Sequence, residues 1–222
     1  MENTRTKTTR NSLILLLTAA IWGMAFVSQS KGMDYMHPFT FNGVRSLIGA
    51  ASILVYILIS RKIAGDKAAP LDWKLNVKAG LLCGIFLTIA STLQQFGIKY
   101  TSVGKAGFIT TLYIIFVPMF GIFLKKKVAP VVWAAAVMAA VGMYLLCMTE
   151  SLRLGAGDIM VFLCAIAFAI QIMTVDHYAA RIDGAVVSCI QFTVCGVVCC
   201  IGALIWLSLI HISEPTRRSY IS

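Results

Sequence analysis

The sequence is short of the residues that carry out chemistry. Of its 222 residues nine are acidic and three are histidine, and no HExxH, GxSxG, P-loop or paired-carboxylate pattern occurs. Hydrolytic, metal-dependent and ATP-driven reactions therefore lack their minimum parts, and neither an enzyme nor a bound cofactor is indicated. Charged side chains of every kind make up only 13% of the chain. The seven cysteines, Cys83, Cys147, Cys164, Cys189, Cys195, Cys199 and Cys200, show no CxxC pairing. They read as small apolar packing residues and not as a zinc or redox site. The formal net charge is +10, but the lysines and arginines are scattered, with no basic helix interleaved with aromatics, so nucleic acid is not an expected partner.

What the chain has in plenty is apolar surface. It is 59% hydrophobic with a mean hydropathy of +0.86, a value that soluble domains of this size rarely reach. Crossing a hydrocarbon core takes about 20 apolar residues. Seven runs of about that length occur, at residues 12–30, 38–60, 78–97, 103–124, 130–148, 158–175 and 184–206. The first, SLILLLTAAIWGMAFVSQS, is too long for a signal-peptide core and contains Trp22, so it reads as a permanent span. Lipid offers the backbone no hydrogen bonds, and the period-two alternation of a barrel is absent, so the runs are expected to be helices. The fold class is an all-α integral membrane protein, with membrane lipid as its surroundings.

With the N-terminus inside, the cytoplasmic segments hold 12 lysines and arginines and the opposite side 4, leaving out Arg45 and the last residues. The positive-inside rule then predicts a cytoplasmic N-terminus in the cytoplasmic membrane. An internal repeat is visible at an offset of 146, which lays LLLTAAIWGMAFVSQS (residues 15–30) on VFLCAIAFAIQIMTVD (residues 161–176) and pairs Trp22 with Phe168 and Arg45 with Gln191. Five spans per unit would turn the second copy upside down in the membrane, the arrangement of many transporters. The expected organisation is a cytoplasmic N-terminus at 1–11, a complete five-helix repeat at 12–148, a linker at 149–157 and a partial second repeat at 158–206 cut after two helices. The stretch LSLIHISEPTR, Leu207 to Arg217, matches residue for residue the conceptual translation of a transposase-end adapter used in sequencing libraries. Residues 207–222 are therefore expected to be non-native.

Several stretches resemble the drug/metabolite transporter superfamily in its EamA-domain branch: AAIWGMAF, PFTFNGVRSLIGA, GIKYTSVGKAGFITTLYIIFVPMFGIFL, VVWAAAVMAAVGMYLL and GDIMVFLCAIAFAIQ. The resemblance covers residues 12 to 206. It implies ten helices in two inverted five-helix repeats that move small metabolites across a membrane. One departure is plain: where members of the family often have a Gly-Glu pair after the fourth helix, this chain has Lys125, Lys126 and Lys127. No role of that glutamate carries over.

A solute site in such a protein is expected near the midplane, between the repeats, on polar side chains facing the bundle interior. Thr18, Trp22, Ala25 and Gln29 share one face of the first run, and Cys164, Phe168, Gln171 and Val175 match them in the sixth. The second run carries Asn42 and Arg45. A cation costs about 2.5–3.5 kcal/mol at a helix centre, so Arg45 either binds an anionic or zwitterionic solute, pairs with carbonyls, or snorkels to the headgroups from about 10 Å inside Pro38. Gln94 and Gln95 in the third run, Thr110 and Tyr113 in the fourth, and Gln191 in the seventh complete the candidate set. Pro118 lacks an N–H and is expected to kink the fourth run and free the carbonyl of Ile114. No acidic residue lies deep inside a run, so proton coupling through a buried carboxylate has no support here. The expected function is secondary transport of a small organic metabolite or drug by alternating access. A channel or a structural membrane subunit fits the hydropathy equally well.

Overall fold

The computed structural model describes residues 2–65, 71–125, 128–147 and 155–213. Among the described residues the α-helices are α1 (Glu2–Gly32), α2 (Pro38–Ala64), α3 (Trp73–Tyr100), α4 (Val103–Thr111), α5 (Tyr113–Phe123), α6 (Pro130–Cys147), α7 (Ala156–Tyr178) and α8 (Gly184–Ser213). Among the described residues there is no strand. Six stretches are long and apolar enough to cross a membrane, one of them being α4 and α5 taken together. The run at 130–148 forms α6, whose described apolar stretch, Pro130–Gly142, is shorter. The chain is thus an all-α, multi-pass membrane protein. The part of the expected tail at Leu207–Ser213 continues α8, and the remainder lies outside the described residues.

Helix starts follow local chemistry. Asp72 caps α3 by accepting from the Leu75 N–H at 3.0 Å, and Ser102 caps α4 by accepting from the Lys105 N–H at 3.3 Å. Asp183 receives the N–H groups of Ala185 and Val186 at the start of α8. Each oxygen satisfies a donor that the first helical turn leaves unpaired. At the end of α2 the chain turns off through Gly65 at φ 50, a left-handed conformation that costs a residue without Cβ little.

The fourth run is broken at Leu112, upstream of Pro118. The Leu112 N–H reaches Ile109 O at 3.2 Å and the Ile115 N–H reaches Leu112 O at 2.9 Å, so a tight i→i+3 turn joins α4 to α5. Pro118, inside α5, has no N–H to give to Ile114 O.

The core of the bundle is made by α2, α3, α7 and α8, whose most extensive contacts are α3 with α7, α2 with α8 and α3 with α8. In lipid the helices gain little from apolar burial, so close van der Waals contact decides the pairing, and small residues make it possible. A Cβ added to Gly157 would stand 2.8 Å from Gly97 O and 2.8 Å from the Tyr100 carbonyl carbon, so α3 and α7 cross backbone to backbone. Gly84 instead receives the Val194 side chain of α8, and Gly43 of α2 that of Cys200. α2 and α8 run antiparallel, from Phe39 beside Gly202 to Arg61 beside Asp183. By contrast α1 is the loosest helix, with Leu13 to Leu17, Ile21 and Trp22 all exposed.

The offset of 146 reappears in the helix boundaries. α1 ends at Gly32 and α7 at Tyr178, while α2 begins at Pro38 and α8 at Gly184, and both pairs stand at that separation.

Candidate functional site

The bundle interior carries a seam of polar side chains at the junctions of α2, α3 and α8. Asn42, fully buried, donates Nδ2 to Ser91 O at 2.9 Å and accepts Arg45 Nη2 at Oδ1 at 3.0 Å. One turn along α2, Ser46 Oγ lies 3.4 Å from Cys195 Sγ, and Ser91 Oγ approaches the same sulfur at 3.4 Å. Thr92 Oγ1 and Cys199 Sγ stand 3.8 Å apart. Asn42 and Ser46 share a face because they are four residues apart on one helix, and Gly43 and Gly84 let α8 come close enough to meet it.

Around this seam the glutamines join further helices. Gln94 Nε2 donates to Thr110 Oγ1 at 3.3 Å, linking α3 to α4, and Gln95 Nε2 donates to Gln29 O at 3.4 Å, linking α3 to α1. Gln171 Nε2 donates to Gln191 Oε1 at 3.0 Å between α7 and α8. The adjacent pair Gln94 and Gln95 is buried on both counts, at 4% and 0% exposure, so neither amide faces lipid. The side-chain oxygens of Gln29 and Gln95 are buried without a donor. An orphaned acceptor of this kind costs about 1–3 kcal/mol, which makes the α1–α3 contact a place that wants a hydrogen-bond donor.

Eight of the ten expected site residues thus take part in these separate contacts: Gln29, Asn42, Arg45, Gln94, Gln95, Thr110, Gln171 and Gln191. Two stand apart. Trp22 is 51% exposed on α1, and Tyr113 is half-buried at the first turn of α5, beside the break at Leu112. None of the ten lines any of three clefts found among the described residues. One of about 510 Å³ lies between α3, α5 and α7, lined by Leu82, Phe120, Met173 and Tyr178. Another of about 520 Å³ lies between α5, α6 and α7 beside Pro118 and Asp176. A third of about 450 Å³ lies between α2 and α8 beside His37 and Trp206.

Two ion pairs close the ends of the bundle among the described residues. Lys105 Nζ meets Asp158 Oδ2 at 2.9 Å with the side chains 19% and 3% exposed. The same carboxylate accepts from Thr101 Oγ1 and from the Gly155 N–H, tying α3, α4 and α7 together. At the other end Arg61 Nη2 meets Asp183 Oδ2 at 3.5 Å with both side chains about 40% exposed, 39% and 40%. Asn76 supports it by accepting the Asp183 N–H at 2.9 Å. Asp183 and Asn76 are absent from the expected set; an acid immediately before the run GAVVSC is a helix N-cap signal that marks the first of them. Outside the spans, burial and the Lys99 ammonium hold the His37 imidazole below its ordinary value. Its ring stacks on Trp206 at 4.6 Å and meets Phe96 edge-on at 5.6 Å. Among the described residues no three His, Cys, Asp or Glu side chains gather as metal ligands.

Residues 10–148 match the model of the EamA-like transporter family. A protein of Archaeoglobus fulgidus with the name "Uncharacterized transporter" is 31% identical over 171 residues, covering 74% of this chain and 48% of that protein. The chain therefore spans about half the length of the curated relative it matches. No solved structure matches it.

Proposed function

We propose, from the premise that this chain belongs to the EamA-like transporter family, that it is part of a secondary transporter moving a small organic solute across the cytoplasmic membrane by alternating access. The observation that carries this reading is the set of hydrogen-bonded polar side chains inside membrane-length helices: Gln29, Asn42, Gln94, Gln95 and Gln191, all buried, and the half-buried Gln171. Polar groups at membrane depth are expensive, and they gather where a solute path needs them. The repeat offset, kept in the ends of α1 and α7 and the starts of α2 and α8, supports an inverted-repeat design in which one half rocks against the other. The excess of lysine and arginine on one set of loops supports a cytoplasmic N-terminus.

On this reading residues 12–148 are one repeat, residues 158–206 open the next, and the cavity needs helices beyond them. The rival, a channel or a structural subunit, differs in kinetics. The test is uptake of labelled organic acids, amines and sugars into proteoliposomes, by the reading frame followed in genomic DNA across codon 206 and by the 222-residue chain. Saturable uptake by a longer frame, and none by the 222-residue chain, is expected. Uptake that rises linearly with solute would favour a channel, and no uptake of any solute by the longer frame would refute transport.

A further inference from the structure

Arg45 lies farther from a helix end than any other charged residue in the membrane-length spans, seven residues beyond Pro38. Its guanidinium is held at one corner only. Nη2 donates to Asn42 Oδ1 at 3.0 Å, and Asn42 is itself fixed by its bond to Ser91 O. The Phe41 ring lies 5.7 Å from the guanidinium carbon. Among the described residues, Nε and Nη1 have no acceptor and neither ion pair includes Arg45. The neighbouring stretch of α8, Gly184 to Ser208, contains no acidic residue. The residue as a whole is exposed, while the guanidinium at its bond to Asn42 is partly buried. A guanidinium does not shed its proton, so the charge persists, and an anion on the open edge of the fork would match it.

We infer that Arg45 is the receptor for a singly charged oxyanion, bound on its Nε and Nη1 edge, with Asn42 and Phe41 setting the plane of the fork. The fork matches two oxygens of a carboxylate or phosphodiester. One charge is specified because a second negative charge would stand uncompensated in a low-dielectric site. A solute carboxylate and a lipid phosphodiester present the same chemistry; the solute version rests on the transport reading above, and the lipid version does not.

The experiment is thermal unfolding of the purified 222-residue chain in dodecyl maltoside, which contains no phosphate, followed by tryptophan fluorescence. The probes are sodium benzoate and dimethyl phosphate, with sodium chloride at equal ionic strength as the control. Both probes should raise the midpoint saturably while chloride does not. Arg45→Gln should weaken their binding at least about ten-fold and, without probe, should melt no lower than the unsubstituted chain, because it removes an unmatched charge. Arg45→Lys keeps the charge but not the fork and should bind with intermediate strength, which preserves the test if Arg45→Gln fails to fold. Adding phosphatidylcholine separates the sources: a benzoate shift that survives it supports a solute site, whereas a shift that it replaces supports a lipid site and overturns the solute version. Equal shifts in Arg45→Gln, or no shift from either probe, would overturn the oxyanion site. Binding is read without transport, so a chain that binds but whose longer frame moves nothing sinks only the transport reading.

Discussion

Asp158→Asn is the sharpest test of how α3, α4 and α7 are joined. The substitution keeps the size of the side chain and one acceptor oxygen, but removes the charge that Lys105 meets at 2.9 Å and leaves the amide to share the bonds from Thr101 and the Gly155 N–H. Breaking a buried ion pair from one side costs about 3–5 kcal/mol. Lys105 retains 19% exposure, so without this carboxylate its ammonium can recover some solvation, and the expected loss is about 2–3 kcal/mol, including the favourable charge at the start of α7. Replacing both partners, Asp158→Asn with Lys105→Met, leaves no orphaned charge and should cost about 1 kcal/mol less than the sum of the single changes, or better. The pair Arg61–Asp183 is the internal control: with both side chains about 40% exposed, 39% and 40%, Arg61→Met should cost no more than about 1 kcal/mol and lose its effect in high salt. The assay is unfolding in maltoside micelles titrated with dodecyl sulfate, followed by far-ultraviolet ellipticity. If Asp158→Asn changes stability by less than about 0.5 kcal/mol, or the double variant is simply the sum of the singles, the pair is not a buried clamp and the reasoning fails.

Two further outcomes follow from geometry. Gly157→Ala should destabilise by about 1–3 kcal/mol, because the new Cβ meets Gly97 O and the Tyr100 backbone, which cannot move aside. Gly121→Ala, whose Cβ would stand 3.6 Å from Val128 Cγ2, should be neutral or stabilising; equal effects in the same unfolding assay would remove the close α3–α7 crossing as a determinant. Stability should also fall as the pH drops below about 6.5, since the folded state favours neutral His37, through burial and then Lys99, and the unfolded chain takes up the proton first. Midpoints at neutral and mildly acid pH should show this slope in the unsubstituted chain and lose it in His37→Phe; the same slope in both would exclude His37 as its source.

The candidate site was legible to the extent that it rests on residue type. A glutamine or asparagine in an apolar run must turn from lipid whatever its neighbours are, and Gln29, Asn42, Gln94, Gln95 and Gln191 do so at no more than 9% exposure. The face drawn through Thr18, Trp22, Ala25 and Gln29 is covered toward its Gln29 end, where Ala25 is half-buried and Gln29 buried, while Thr18 bonds its own helix at Ile14 O and Trp22 is exposed. Helical spacing aligns such residues but does not say which end of a face a neighbour covers. Partner identity was equally hidden. That Asn42 would meet the Ser91 carbonyl, or that Asn76 would hold the Asp183 amide 107 residues away, depends on the rotation of one helix against another.

By itself the sequence determined that the chain is a set of membrane-length helices and roughly where each begins, because in hydrocarbon a backbone must close its hydrogen bonds within its own segment, and apolar length alone selects that solution. Only the tertiary structure decided that the fourth run breaks at Leu112, that Lys105 finds Asp158, and that Gln29, Gln95 and Arg45 keep unmatched hydrogen-bonding atoms. Those outcomes depend on how closely and at what angle helices cross, which glycines distant in sequence set at Gly43, Gly84, Gly97 and Gly157.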